Sequence, residues 1–212
     1  MMLERAAVEP FFKNGFVLGC EETREAVLID PGDEVQLLLS AVHERGLTVT
    51  NILLTHAHLD HITGVGRAKA ATGAPIWLHQ NDHFLYEGVV QQGLAFGLKI
   101  SPQPPVDRFY EGEGPIRFGK YQTRVRHTPG HCPGGVCLAV SREDGTETTL
   151  FVGDTLFAGS IGRVDLPGGN MATLLHSIRT VLFSYPDDTP VWSGHGEMTT
   201  IGKERRTNPF LV

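Results

Sequence analysis

Four side chains able to bind a metal ion, His56, His58, Asp60 and His61, fall within six residues, directly after the apolar run Asn51-Ile52-Leu53-Leu54-Thr55. Such a run reads as a buried strand, so the histidine segment begins at a strand's C-terminal end. In extended geometry residues two apart share a face, and His56 and His58 can therefore grip one ion. The turn that follows can aim Asp60 and His61 at a second ion nearby.

The flanking sequence alternates strand and helix patterns. Ala26-Val27-Leu28-Ile29-Asp30 reads as a buried strand stopped by Pro31-Gly32. Asp33 is the expected cap of a helix carrying Val35, Leu38, Leu39 and Val42 at helical spacing and ended by Gly46. A second helix is expected from about Thr63 to Thr72, stopped by Gly73, with a strand at Pro75 to His79. Further strands are expected at Tyr121 to His127, Gly135 to Val140, Thr148 to Val152 and Pro190 to Ser193. Met171 to Phe183 reads as an amphipathic helix through Met171, Leu174, Leu175, Ile178 and Leu182. Strands and helices thus recur in both halves, which suggests two facing sheets with helices outside.

Composition excludes several classes. A formal net charge of -6 and no basic run argue against a nucleic-acid partner. No segment approaches the ~20 consecutive apolar residues of a membrane span. The N-terminus lacks the basic-then-apolar order of a secretory signal, so a cytoplasmic address is expected. Cys20, Cys132 and Cys137 are too few and too scattered for a disulfide framework and read as reduced thiols in or near a core. Ten histidines stand against 18 lysines and arginines, a high share of the commonest metal-ligand type.

Two metal ions need more ligands than one segment supplies. His131, Asp154 and His195 each stand beside glycine just beyond a predicted strand, in Thr128-Pro129-Gly130-His131, Phe151-Val152-Gly153-Asp154 and Ser193-Gly194-His195-Gly196. Glycine lets a backbone turn sharply there and approach a site closely.

The order Thr55-His-Ala-His-Leu-Asp-His61, then Gly130-His131, Gly153-Asp154 and Gly194-His195, resembles the metallo-β-lactamase superfamily. The resemblance implies an α+β fold, a four-layer αββα sandwich with a dinuclear metal site at one edge of the two sheets. It implies one domain over residues 1–212, without a separate C-terminal helical domain. By the same analogy His56, His58 and His131 hold the first metal, Asp60, His61 and His195 the second, and Asp154 bridges both. Zinc is the first expectation for the two divalent ions, with iron or manganese as alternatives.

More local segments are similar to the glyoxalase II branch, the hydroxyacylglutathione hydrolases and their short relatives. They are Leu156 to Arg163, Asp165-Leu166-Pro167-Gly168-Gly169 and Thr199 to Phe210, which ends in Asn208-Pro209-Phe210. The chain departs from that branch at Val164-Asp165 and at Leu211-Val212, where an aromatic and a basic residue are usual. The implied activity is hydrolysis of a small acyl-thiol, with Asp60 and Asp154 orienting the nucleophile and Arg163, Lys203 and Arg206 as candidate substrate contacts. Alternatives on this scaffold are an iron-dependent persulfide dioxygenase, or hydrolysis of another ester, lactone or β-lactam.

Overall fold

The computed structural model describes residues 1–110 and 114–212, which divide into two compact units. The first comprises residues 1–111 and 117–120, the second residues 112–116 and 121–212.

The first unit is built on a mixed sheet of β1 (Met2–Ala6), β2 (Gly15–Gly19), β3 (Glu25–Ile29), β4 (Thr48–Leu53), β5 (Ile76–Leu78) and β6 (Arg108–Phe109), hydrogen-bonded in that order. The first three strands pair antiparallel and the rest parallel. All of β2 and all of β3 except Glu25 are buried. That explains their unbroken apolar runs, since a strand covered on both faces has no reason to alternate.

Helices α1 (Val35–Glu44), α2 (Leu59–Ile62), α3 (Val65–Thr72), α4 (His83–Glu87) and α5 (Val89–Ala95) complete the first unit. Along α1, Val35, Leu38 and Val42 are buried, while Leu37 is exposed. Asp33 is not its cap: Glu34 holds that position, and Asp33 accepts a hydrogen bond from the Thr63 hydroxyl instead. Gly73 ends α3 in the left-handed conformation expected of it, with φ of 70°.

The short strand β7 (Ile116–Phe118) is divided between the units. In the second unit β8 (Tyr121–His127), β9 (Val136–Arg142), β10 (Thr149–Phe151), β13 (Pro190–Trp192) and β14 (Thr199–Thr200) form a sheet in the order β14-β13-β10-β9-β8. A small hairpin, β11 (Leu156–Phe157) with β12 (Ser160–Ile161), stands apart from it. Helices α6 (Met171–Thr180) and α7 (Ile201–Thr207) belong to this unit.

The second core gathers Leu150, Val152, Leu156, Leu174, Ile178, Leu182, Val191 and Ile201, all fully buried. Each such side chain contributes about 1.5–3 kcal/mol relative to exposure. The expected helix to Phe183 is shorter than its periodicity suggests. It ends at Thr180, Leu182 reaches the core from a 3-10 turn, and Met171 is exposed. Asn170 caps α6 by accepting from the Thr173 amide at 2.9 Å. Among the described residues no helix is long and apolar enough to cross a membrane.

Candidate metal centre

In the first unit the histidine segment follows β4 after a bend at Thr55, His58 has extended backbone, and α2 starts immediately after it. His56 and His58 therefore precede the helix, whereas Asp60 and His61 lie on its first turn. The rings of His56 and His61 are 4.0 Å apart, and those of His56 and His58 are 4.9 Å apart. His61 Nε2 is 3.6 Å from Asp60 Oδ2. His56, His58 and His61 are all buried.

Asp30 organises this cluster, and its ligand-capable atoms lie within 4.8 Å of those of His56 and His61. Its carboxylate accepts from the Thr55 amide at 2.7 Å, from the Thr55 hydroxyl at 2.5 Å and from His61 Nδ1 at 2.9 Å. The Thr55 hydroxyl has one proton and gives it to Asp30, so at its 3.1 Å contact with His56 Nδ1 it must accept. Both rings thus carry a proton on Nδ1, which makes Nε2 the nitrogen that would meet a metal.

The backbone of the segment is held as well. Asp82 accepts from the Ala57 amide at 3.2 Å. Gln92 accepts from the Leu59 amide at 3.1 Å and donates to the carbonyls of Ala57 and Leu85. Asp82 and Gln92 escaped the sequence reading because they lie more than 20 positions downstream with no local pattern to mark them. Asp30 did carry a signal, as an acid between a buried strand and Pro31-Gly32.

In the second unit the three predicted strand ends converge. Asp154 follows β10 and His195 follows β13, which run parallel, and the Gly194 amide continues the ladder to the Gly153 carbonyl at 2.8 Å. His195 Nε2 consequently stands 3.6 Å from Asp154 Oδ2, and His131 Nε2 stands 3.8 Å from the same atom. The His131 loop is pinned to α6: the Ser177 hydroxyl donates to the Pro129 carbonyl at 2.7 Å, and the Asn170 amide to the Gly130 carbonyl at 2.7 Å. His131 Nδ1 donates to the Arg163 carbonyl at 2.7 Å, since a carbonyl can only accept, and Nε2 is the ring nitrogen turned toward Asp154. Gly162 permits this approach, because a Cβ there would lie 1.9 Å from the Asp154 carbonyl oxygen.

The candidate substrate contacts have local partners. The Arg163 guanidinium forks onto Asp165 at 2.7 and 2.6 Å, and this holds the Asp165 carboxyl down at about 2. A carboxyl lowered in this way contributes above its unfolded value and loses the contribution only as pH falls toward 2. A pH profile between 5 and 9 therefore cannot originate in this pair. Arg206 pairs with Asp187 at 2.6 Å and Arg205 shares that carboxylate. Lys203 lies exposed on α7. Tyr110 donates to the Leu54 carbonyl at 3.1 Å and stacks on Trp77. Cys132, beside His131, is fully buried.

Because Arg163 serves His131 through its carbonyl, Arg163→Ala is expected to leave metal stoichiometry and melting temperature close to wild type. Metal analysis and a thermal melt check this; metal loss would show that the side chain matters to the centre.

Two sheets of this order, with histidine and aspartate gathered at strand ends, define a metallohydrolase type of fold. A sequence model of the metallo-β-lactamase superfamily matches residues 8–195, and the chain belongs to that superfamily. It is 38% identical to the hydroxyacylglutathione hydrolase GloC of Haemophilus influenzae, over 100% of this chain and 98% of that protein. Among solved structures it is similar to the B3 metallo-β-lactamase BLEG-1, with TM-score 0.90, 37% identity and complete coverage of both chains. It is also similar to TTHA1623, solved in a di-iron-bound form, with TM-score 0.84 and 42% identity over 98% of this chain and 100% of that one. The α+β fold class implied by the sequence resemblance is the one found.

Proposed function

We propose that this chain is a metal-dependent hydrolase of acyl-thioesters, acting on S-2-hydroxyacylglutathione or a related acyl-thiol. The observation that carries the reading is the set of fixed tautomers. His56, His61 and His131 each spend Nδ1–H inside their own unit, which assigns Nε2 as the nitrogen that would meet a metal. Neutral imidazoles and carboxylates are a donor set suited to zinc, iron or manganese. His56, His58 and His131 would hold one ion, and Asp60, His61 and His195 the other, with Asp154 shared. When bound, two such ions lower the pKa of a shared water from 15.7 toward about 7 and polarise a carbonyl oxygen.

The chain's own part is positional. Asp60 Oδ2 lies 3.6 Å from His61 Nε2, Asp154 Oδ2 lies 3.6 Å from that of His195 and 3.8 Å from that of His131, and these two carboxylates would orient the attacking water. Asp30 and the Arg163 carbonyl would keep the ring protons of His61 and His131 on Nδ1 and so aim Nε2 at a bound ion. A thioester suits this arrangement, since its thiolate leaves without a dedicated acid. The thiol carrier is assigned by likeness to GloC. On this reading residues 1–212 act as one catalytic domain in the cytoplasm on a small molecule, and the net charge of -6 disfavours nucleic acid.

The test is turnover of S-lactoylglutathione beside other acyl-thiols, a lactone and a β-lactam, with metal content measured in the same sample. Faster turnover of the lactone or β-lactam than of every thioester overturns the assignment, as does oxygen uptake with glutathione persulfide. Chelation is expected to lower the melting temperature, and zinc or iron to restore it. Ligand at 100 times its Kd adds about 2.7 kcal/mol to a folded state that binds it. A melt unchanged by chelator, in protein shown to have lost its metal, would contradict this.

A further inference from the structure

Lys13 is among the most deeply buried large side chains, at 2% exposure, and it lies outside the ligand set. Its Nζ donates to Glu34 Oε1 at 2.6 Å and also to the carbonyl oxygen of Asp30. Taking both charges out of water is costly, and apolar replacements of such pairs are often neutral or stabilising. Stability alone does not account for this lysine; the groups it touches do.

Asp30 carries left-handed backbone, with φ of 46°. A residue other than glycine keeps such a conformation only where its surroundings over-determine it. Here the Asp30 amide donates to the Leu53 carbonyl at 3.1 Å, and Lys13 takes the Asp30 carbonyl. Glu34 Oε1, the oxygen that receives Lys13, also accepts from the Gly32 amide at 2.9 Å. Gly32 in turn backs the ligand turn directly: a Cβ there would lie 2.0 Å from the Asp60 carbonyl oxygen and 2.9 Å from Lys13 Cε. One ammonium group therefore fastens the loop that presents the Asp30 carboxylate and supports the turn bearing Asp60 and His61.

We propose that Lys13, paired with Glu34, is a positioning residue for the metal centre. Through the Asp30 carbonyl it holds the carboxylate that orients His61 directly and His56 by way of Thr55. The proposal rests on the metal-centre reading above.

The test uses the full chain and the variant K13M/E34Q. This change removes both charges together, so neither is left buried alone, and it keeps an acceptor for the Gly32 amide. Zinc affinity is read by chelator competition, the ligand field by the visible spectrum of the cobalt-substituted protein, and stability by the melt of the metal-free protein. The expected result is about 10–100-fold weaker zinc binding, the loss typical when a group orienting a ligand is removed. A changed cobalt spectrum and a metal-free melt within a few degrees of wild type should accompany it. Unchanged affinity and spectrum overturn the proposal, as does an affinity loss with an unaltered spectrum and a matching drop in the metal-free melt. If K13M/E34Q does not fold, K13Q/E34Q fills the space with an amide and is read by the same criteria. A wild-type protein that binds neither zinc nor cobalt overturns the metal-centre reading itself, which is a different result from a wild-type-like variant in a metal-binding parent.

Discussion

His58→Ala and Asp154→Ala are each expected to lose bound metal and thioester turnover together, by more than about 100-fold in kcat/KM. The bound is set by groups that merely orient ligands, whose removal already costs about 10–100-fold in affinity or activity. His58 is buried with its ring edge-on to His56, so alanine there deletes a donor from a crowded, desolvated cluster. Asp154 stands 3.6 Å from His195 Nε2 and 3.8 Å from His131 Nε2 and is the one carboxylate common to both contacts. Asp154→Asn keeps the shape and removes the charge, and it is expected to fall between alanine and wild type in metal content. Metal analysis and S-lactoylglutathione turnover on the same preparations check this. Either alanine variant retaining full metal and full activity would sink the mechanism.

The second large effect lies away from the candidate metal ligands. Glu204, on α7, is completely buried and accepts from the Gly159 amide at 2.8 Å, the Thr199 hydroxyl at 2.5 Å and Asn208 Nδ2 at 2.9 Å. Asn208 Nδ2 also donates to the Ser160 carbonyl at 3.0 Å. Glu204 and Asn208 thus fasten α7 to the β11–β12 hairpin, which leads from Asp154 toward the Arg163 carbonyl. Glu204→Ala strands the buried Thr199 hydroxyl, leaves Asn208 Nδ2 with the Ser160 carbonyl alone, removes the acceptor of the Gly159 amide and opens a cavity. With about 1–3 kcal/mol for the stranded hydroxyl and a further contribution from the cavity, roughly 2–4 kcal/mol is the expected loss. At about 2–4 °C per kcal/mol for a chain of this size, the melt should fall by roughly 10 °C. A thermal melt of the metal-free protein measures it, and a drop below about 2 °C would show that the network contributes little.

This network also changes the meaning of the C-terminal motif. The segment Thr199 to Phe210 reads in sequence as a family signature whose basic residues form a solvated charged tail, with Lys203 and Arg206 as candidate substrate contacts. In the fold its Glu204 and Asn208 face inward as a lock, while Arg205 and Arg206 converge on Asp187. A charge run carries no information about which carboxylate lies 18 or 19 positions upstream, so that pairing was not legible beforehand.

Regular elements were legible where burial and periodicity agreed. Tyr121 to His127 is a strand with the expected ends, and α3 stops at Gly73. Where two local rules competed, packing chose. Asp33 is a good cap by type, yet its carboxylate turns to Thr63 and leaves Glu34 at the cap position. Leu182 continues a helical pattern but reaches the core from a 3-10 turn, because a core position requires burial and not one particular backbone.

The sequence by itself determined which residue types could bind metal and where along the chain they stand, since strand ends, glycine turns and histidine spacing are local features. It also determined the superfamily, because those features recur in one order from His56 to His195. Only the tertiary structure decided which acceptors the candidate ligand histidines meet at Nδ1. Asp30 reaches His61 across 31 positions and the Arg163 carbonyl reaches His131 across 32, and Lys13 braces Asp30 from 17 positions away. A tautomer is set by whatever acceptor the fold brings to the other ring nitrogen, and no local pattern encodes that partner.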